Sequence, residues 1–159
     1  MIRAGRGDQS GGVIRLVGDG GDTFNSGTLT ATSSDGHGGN IDVLGDRVAL
    51  TSNTLIDVSG KTGGGQVRIG GDYQGGNPDV ANATDTYVGA DVEIKADAAQ
   101  QGNGGQVIVW ADNNTRYMGS ISARGIGDAG NRGCAGVSGR QGLRYRGDVD
   151  WSAATGTTG

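Results

Sequence analysis

Short runs of alternating apolar and polar residues recur along the chain, and each run opens on glycine. The first run reads Gly12-Val-Ile-Arg-Leu-Val-Gly-Asp19. Such alternation predicts a β-strand with one buried face, because successive side chains of a strand point to opposite sides. Similar runs begin at Gly39, Gly65, Gly105 and, in weaker form, Gly133. The pattern therefore predicts a chain built from short strands.

These runs recur at a nearly constant interval of about 27 positions, except that one interval is longer. A second set of apolar residues keeps the same rhythm, and each member opens another short strand: Ile2, Leu29, Ile56, Ile94, Ile121 and Val149. A weaker third strand is expected between these two sets, around Phe24, 48–50, 87–89, 117–119 and 143–147. Three short strands per repeat predict an all-β fold, a parallel β-helix (solenoid) of about five to six coils.

Alternation also assigns the faces of the first strand in each coil. Two inward ladders are expected, one of Ile14, Ile41, Val67, Val107 and Ala135 and the other of Leu16, Val43, Ile69, Val109 and Val137. The position between these ladders points outward, where Arg15, Asp42 and Arg68 should attract each other across neighbouring coils. The sixth residue after the leading glycine is Gly or Ala in every run, and we expect it at a corner of the coil.

One coil is longer than the others because of an insertion at 72–86, which contains Tyr73 and the single proline, Pro78. We expect this insertion to leave the solenoid surface as a loop. Loops on repeat scaffolds often carry recognition, although a merely tolerated insertion is the plainer explanation.

The chain begins and ends within a repeat, and neither end has a predicted capping element. Solenoids need caps to cover their open strand edges. We therefore expect residues 1–159 to be a single β-helix segment, uncapped at both ends, from a longer β-helix or a truncated reading frame.

Composition and charge exclude several other classes of protein. Glycine supplies 35 of 159 residues, and each glycine inside a helix costs roughly 0.5–1 kcal/mol relative to Ala. Collagen needs abundant proline, and this chain has one. The formal net charge of -4 argues against a nucleic-acid duplex as partner. No run resembles a signal peptide or a membrane-spanning helix.

Four aspartates occupy the same position after their strands: Asp19, Asp46, Asp72 and Asp112. Carboxylates stacked about 4.8 Å apart would repel each other by about 1 kcal/mol in water. Calcium bound between coils would offset this repulsion, because it prefers oxygen ligands. We favour the alternative, in which each carboxylate forms its own turn at a corner and no cofactor is bound.

Two tripeptides of a kind that integrins bind are candidates for recognition, together with Tyr73 and Pro78 of the insertion. They are Arg6-Gly7-Asp8 and Arg146-Gly147-Asp148. Short motifs of this kind arise by chance in a chain rich in glycine and aspartate, so the plainer interpretation is coincidence.

A carbohydrate-active β-helix such as a polysaccharide lyase is an alternative function. It would need carboxylates for calcium and a nearby basic residue, and two groups supply these residue types: Asp57 with Lys61, and Asp91 and Glu93 with Lys95. Solvated charges on alternating strands explain both groups equally well. The sequence therefore favours a protein that is not an enzyme.

The single histidine and the single cysteine offer little chemistry. His37 has no second His or Cys with which to form a metal site or a nucleophile pair, and Cys134 is expected to be an exposed, incidental thiol. Trp110 and Trp151 are expected to project outward or toward a corner, where they and the four tyrosines could form an aromatic patch for sugar stacking. The favoured interpretation is that three of these tyrosines instead stack as a ladder in the middle strand: Tyr87, Tyr117 and Tyr145.

Several segments resemble the filamentous haemagglutinin family, which comprises large exoproteins of Gram-negative bacteria. They are Gly38-Gly-Asn-Ile-Asp-Val-Leu-Gly-Asp-Arg-Val-Ala-Leu, Ile56-Asp-Val-Ser-Gly, Gly70-Gly-Asp-Tyr-Gln-Gly, and Val107-Ile-Val-Trp-Ala-Asp through Ile121-Ser-Ala-Arg-Gly. The resemblance covers roughly residues 11–127. It implies a right-handed parallel β-helix, export by a two-partner outer-membrane route and adhesive or filamentous roles at the surface. No family active site exists to carry over, and we expect these residues to lie outside the amino-terminal secretion domain.

The favoured function is therefore a non-catalytic shaft segment of an adhesin, secreted by or displayed on a Gram-negative bacterium. The expected partners are glycans or proteins of host or neighbouring cells and an outer-membrane transporter. A structural filament formed by end-to-end stacking of coils is a third alternative.

Overall fold

The computed structural model describes residues 2–3, 12–127 and 130–153, which contain sixteen β-strands and one short 3-10 turn. The strands are β1 (Ile2–Arg3), β2 (Val13–Val17), β3 (Thr23–Asn25), β4 (Thr28–Thr30), β5 (Asn40–Leu44), β6 (Arg47–Leu50), β7 (Leu55–Asp57), β8 (Gln66–Ile69), β9 (Asp85–Val88), β10 (Glu93–Lys95), β11 (Gln106–Val109), β12 (Asn114–Tyr117), β13 (Ser120–Ser122), β14 (Cys134–Val137), β15 (Gly142–Tyr145) and β16 (Asp148–Asp150). The 3-10 turn is Tyr73–Gly75. No helix in the described ranges is long and apolar enough to cross a membrane.

Every third strand pairs with its neighbour in the next coil, and all these pairings are parallel. The strands form a first sheet (β2-β5-β8-β11-β14), a middle sheet (β3-β6-β9-β12-β15) and a last sheet (β1-β4-β7-β10-β13-β16). The predicted β-solenoid with three strands per coil is therefore confirmed.

The core is a set of aliphatic ladders that run along the solenoid axis. In the first sheet Ile14 pairs with Ile41 and Leu16 with Val43, and both ladders continue to β14 as predicted. In the last sheet Leu29 pairs with Ile56, and this column continues through Ile94 and Ile121 to Val149. Burying one Val, Leu or Ile side chain contributes about 1.5–3 kcal/mol, so these ladders hold the coils together.

The middle sheet has a register that differs from the predicted one. Tyr117 pairs with Tyr145, and their rings stack with centroids 5.3 Å apart. Tyr87, however, pairs with Arg116 and points outward, while Val88 occupies the inward position above Tyr117. The prediction of a three-tyrosine ladder was therefore wrong for Tyr87. Thr86 and Val88 are buried, and their alternation turns the intervening tyrosine away from the core.

Glycines allow the chain to turn sharply just before the first sheet. Gly38, Gly64 and Gly104 occupy equivalent corners in successive coils. A Cβ added at any of them would overlap a backbone carbonyl oxygen of the same coil, that of Val58, Ala96 or Ala123. Part of the high glycine content therefore reflects close approach of backbones at a narrow corner.

The insertion does not simply leave the solenoid surface, since part of it packs back against Trp110. This tryptophan is 7% exposed, and a Cβ added at Gly75 would lie 2.7 Å from its Nε1 atom. Asn82 Nδ2 donates to Gly75 O (3.1 Å), which closes the loop. Trp110 was expected outside the core, and the insertion covers it there.

Candidate binding face

The outward side of the middle sheet carries one continuous column of side chains. Register pairs Phe24 with Ala49, Ala49 with Tyr87, Tyr87 with Arg116 and Arg116 with Arg144. The column arises because the residues on either side of each member point inward. Neighbouring strands lie about 4.8 Å apart, so the column spans about 19 Å. We call this surface the middle-sheet face.

A groove follows the middle-sheet face and changes character along its length. Its first part has a volume of about 330 Å³ and is lined by Phe24, Ala49 and Tyr87, with Arg47 and Asp85 beside them. Phe24 is 69% exposed. The ring of Tyr87 leans along the surface, since a Cβ added at Gly89 would lie 3.5 Å from its Cε1 atom. The first part is therefore apolar at its base and charged at its edge.

The second part of the groove is basic. It has a volume of about 400 Å³ and shares Asn114 and Arg116 with the first part. Arg116 and Arg144 are exposed, and neither forms an ion pair with any residue in the described ranges. Like charges on directly opposed strand positions are destabilising. This pair of arginines therefore favours an anion at this end.

The charges beside the apolar part are paired within the protein. Arg47 donates from Nε to Asp22 Oδ1 (2.9 Å) and also contacts the second oxygen of that carboxylate. The hydrogen bond to Asp22 raises the pKa of Arg47, and the charge of Asp22 adds to the effect. Asp85 Oδ1 accepts from the Asn114 N–H (3.3 Å). The excess positive charge of the groove thus lies at its Arg116 end.

The first sheet carries the alternating charges predicted for its outward position. Arg68 donates from Nε (2.7 Å) and Nη2 (2.9 Å) to the two carboxylate oxygens of Asp42, and Arg15 approaches the same carboxylate at 3.3 Å. Asp42 is only 2% exposed. This cluster connects three coils, so its evident role is structural.

The four calcium candidates differ in their surroundings. Asp19 is exposed, and the backbone of Asp46 lies between Gly21 and Thr84 of neighbouring coils. Asp112 accepts from Trp110 Nε1 (3.1 Å), and its N–H donates to Ala83 O. Asp112 therefore has a partner within its own coil.

Asp72 belongs to the base of the insertion. Its carboxylate accepts from Arg68 Nη1 (3.1 Å), Asn77 Nδ2 (2.8 Å) and the Tyr73 N–H (2.7 Å). Burial acts to raise the pKa of Asp72, but these hydrogen bonds outweigh it and hold the pKa below its usual value. In the parts of the chain that the structure describes, no group of three His, Cys, Asp or Glu residues is arranged to hold a metal ion.

The recognition candidates lie on different elements of the structure. Arg146 and Asp148 are exposed at the corner between β15 and β16. A Cβ on Gly147 would overlap Gly119 O, so the close approach of two backbones explains why this residue is glycine. Tyr73 and Pro78 are exposed on the insertion. The other tripeptide, Arg6-Gly7-Asp8, lies outside the described residues.

Two of the residues considered for catalysis are neighbours, because Asp57 lies opposite Lys95 in the register of β7 and β10. Asp57 accepts from the Ser59 N–H (2.9 Å), and Lys95 pairs with Glu93 of its own strand (3.3 Å). Asp91 and His37 are exposed, and Lys61 is half-buried. Cys134 is exposed, as predicted. Trp151, at 44% exposure, lies outside the core as expected.

Sequence reasoning missed the middle-sheet face because the middle strands have the weakest alternation. A signal was present in Thr86-Tyr-Val88 and Thr115-Arg-Tyr117. In both segments the flanking residues are buried, and the central residue belongs to the outward column.

The structure is similar to a known secretion domain. The crystal structure of the HMW1 secretion domain from Haemophilus influenzae matches with a TM-score of 0.76 and 29% sequence identity, over 89% of this chain and 38% of that chain. No family model matches the sequence. No curated protein matches it either. The expectation that these residues lie outside a secretion domain is at odds with this similarity.

Proposed function

We propose that this chain is a β-helical segment of an adhesin-like exoprotein that a Gram-negative bacterium secretes or displays on its surface. The segment reaches the surface by a two-partner route through an outer-membrane transporter. It is not an enzyme, and its role is adhesion or surface structure. The observation that carries this proposal is the similarity to the HMW1 secretion domain, which extends over 89% of the chain.

The physical form of the chain supports this role. Three parallel sheets in continuous register make a shaft whose outer faces are fixed relative to one another. Repeat scaffolds of this kind present extended surfaces for binding. Such extended faces suit the presentation of a surface to a partner.

The export part of the proposal is tested by secretion. The chain, with a cleavable signal peptide, is expressed in a Gram-negative host with or without a two-partner transporter from the same source genome. We expect the chain in the medium or at the cell surface only when the transporter is present, measured by immunoblot and protease accessibility. A transporter with a blocked pore is the matched control, and equal export in all three strains would refute the route.

The adhesion part is tested with purified protein. We expect labelled chain to bind cultured cells or arrayed glycans more strongly than an Ile94→Asp variant, whose core ladder is disrupted. If folded protein and unfolded variant bind equally weakly to every surface, the chain is a scaffold and not an adhesive segment.

A further inference from the structure

We propose that the groove of the middle-sheet face binds a polysaccharide in which neutral and acidic sugars alternate. The chain of sugars lies along the solenoid axis, with a neutral ring on Phe24 and Tyr87 and acidic groups at Arg116 and Arg144. This inference rests on the proposed surface role, because such polysaccharides are met outside the cell.

The apolar end has the form of a platform for one ring. Phe24 and Tyr87 lie in the same column, two strands apart, with Ala49 between them. The small side chain of Ala49 leaves a low position between two aromatic residues about 9.6 Å apart. A sugar ring held over Ala49 can contact the exposed side chain of Phe24 and the side chain of Tyr87, which line the same part of the groove.

The basic end supplies the charge that an acidic sugar needs. Arg116 and Arg144 are opposed in register, exposed and without a carboxylate partner in the described ranges. An arginine side chain can donate two parallel hydrogen bonds to one carboxylate. A bound acidic group would relieve the repulsion between the two guanidinium groups.

The charges along the groove favour an alternating polysaccharide over a uniformly charged polymer. Asp85 lines the aromatic end, where its carboxylate repels anions, while the carboxylate of Asp22 neutralises Arg47 there. Duplex DNA carries closely and evenly spaced phosphates along its whole length, and it would place some of them against these carboxylates. A sugar chain that alternates in charge places a neutral ring at this end and its acid at the arginines.

The test uses the whole chain and a hyaluronan oligosaccharide as the probe, because its neutral and acidic sugars alternate. Isothermal titration calorimetry should detect binding that weakens as salt is added. We expect the double variant Arg116→Gln with Arg144→Gln to raise Kd about tenfold, which corresponds to about 1.4 kcal/mol. The pair Phe24→Ala with Tyr87→Ala should weaken binding by a similar factor, while its salt dependence stays.

Arg140→Gln is the matched control, because Arg140 is exposed, lacks an ion pair in the described ranges and lines neither part of the groove. All variants alter exposed or half-buried side chains, and circular dichroism checks that they fold. The proposal is overturned if hyaluronan does not bind, if neutral dextran or single-stranded DNA binds as tightly, or if the control weakens binding as much as the groove variants. Such a result would leave transporter-dependent export, and therefore the proposed function, unaffected.

Discussion

The hydroxyl group of Tyr117 is buried without a partner. The side chain is fully buried in the middle sheet, and its Oη atom has no hydrogen bond within the described structure. An unsatisfied buried polar group costs about 1–3 kcal/mol. We therefore expect Tyr117→Phe to raise the free energy of unfolding by about 1 kcal/mol, measured by urea denaturation.

The same residue predicts how stability changes at high pH. Burial raises the pKa of Tyr117, and the nearby Tyr145 and Asp148 raise it further. The pKa of Tyr117 in the folded protein lies above the unfolded value of about 10. The contribution of this shift to the free energy of unfolding is therefore complete below pH 10, and it is lost as pH rises toward the folded pKa. Wild type should thus lose more stability between pH 9 and 11 than Tyr117→Phe. Tyr73→Phe, at an exposed ring on the insertion, is the control; a loss as large in the Tyr117→Phe variant would contradict this explanation.

Asp42 is the residue on which the first-sheet charge cluster depends. It accepts two hydrogen bonds from Arg68 and lies close to Arg15, while it is itself almost fully buried. Removing one partner of a buried pair costs about 3–5 kcal/mol, and partial exposure of the arginines should bring this nearer to about 2 kcal/mol. We expect Asp42→Ala to destabilise the protein by that amount in urea denaturation.

Asp22→Ala provides the comparison for Asp42→Ala. Its partner Arg47 is largely exposed, so water screens this pair and its loss should destabilise the protein much less. If the two substitutions destabilise the protein equally, burial of Asp42 is not what makes its pairing important.

At the scale of the coil, corner glycines decide whether the strands can stack. A Cβ at Gly64 would overlap Ala96 O, whereas a Cβ at Gly136 would meet no atom within 4 Å. Overpacking costs typically about 1–3 kcal/mol and sometimes more. We expect Gly64→Ala to lower the free energy of unfolding by about 3 kcal/mol, and Gly136→Ala to leave it unchanged or slightly raised. Thermal denaturation of both variants checks this, and equal melting temperatures would contradict it.

The insertion is expected to shield Trp110 from water. Replacing residues 73–81 with two glycines should leave the coil intact, because the strands on either side pair with their neighbours. In a Trp151→Phe background, the fluorescence of Trp110 should then shift to longer wavelength and become accessible to iodide. An unchanged spectrum would mean that residues outside the insertion bury this side chain.

At the scale of the molecule, the sequence predicts what depends on local alternation. The ladders that include Leu16 and Val43 followed from the period of two within each strand and the longer period that separates equivalent strands. The burial of Asp42 and the cover over Trp110 could not be predicted in this way. Both depend on groups from other coils or the insertion, and outward strand positions carry no local signal of such contacts.

The middle-sheet face also depends on contacts that the local sequence pattern does not predict. Phe24 and Arg116 are 92 positions apart in sequence, and only the register of four middle strands places them on one column. An error of one residue in any strand moves a side chain to the opposite face. Tyr87 shows this, since its expected inward position depended on such an error.

Stacking also predicts that whole coils can be removed. Deleting residues 105–132 joins Gly104 to Gly133 and brings β14 beside β8, so that Val67 would pair with Ala135. We expect this variant to unfold cooperatively in urea, with a smaller m-value because less surface is exposed. Deleting 105–118, half as long, breaks the register and should abolish cooperative unfolding. If both deletions behave alike, the coil is not the unit of stability.

Because each coil pairs only with adjacent coils, folding can spread along the solenoid axis from one coil to the next. A strand pairs with its equivalent in the preceding coil, so a completed coil is an edge on which the next one can form. A chain that emerges from a pore coil by coil would then wind up on the outer side as it appears. On the export route proposed above, each finished coil would hold the chain that has already emerged as a folded unit.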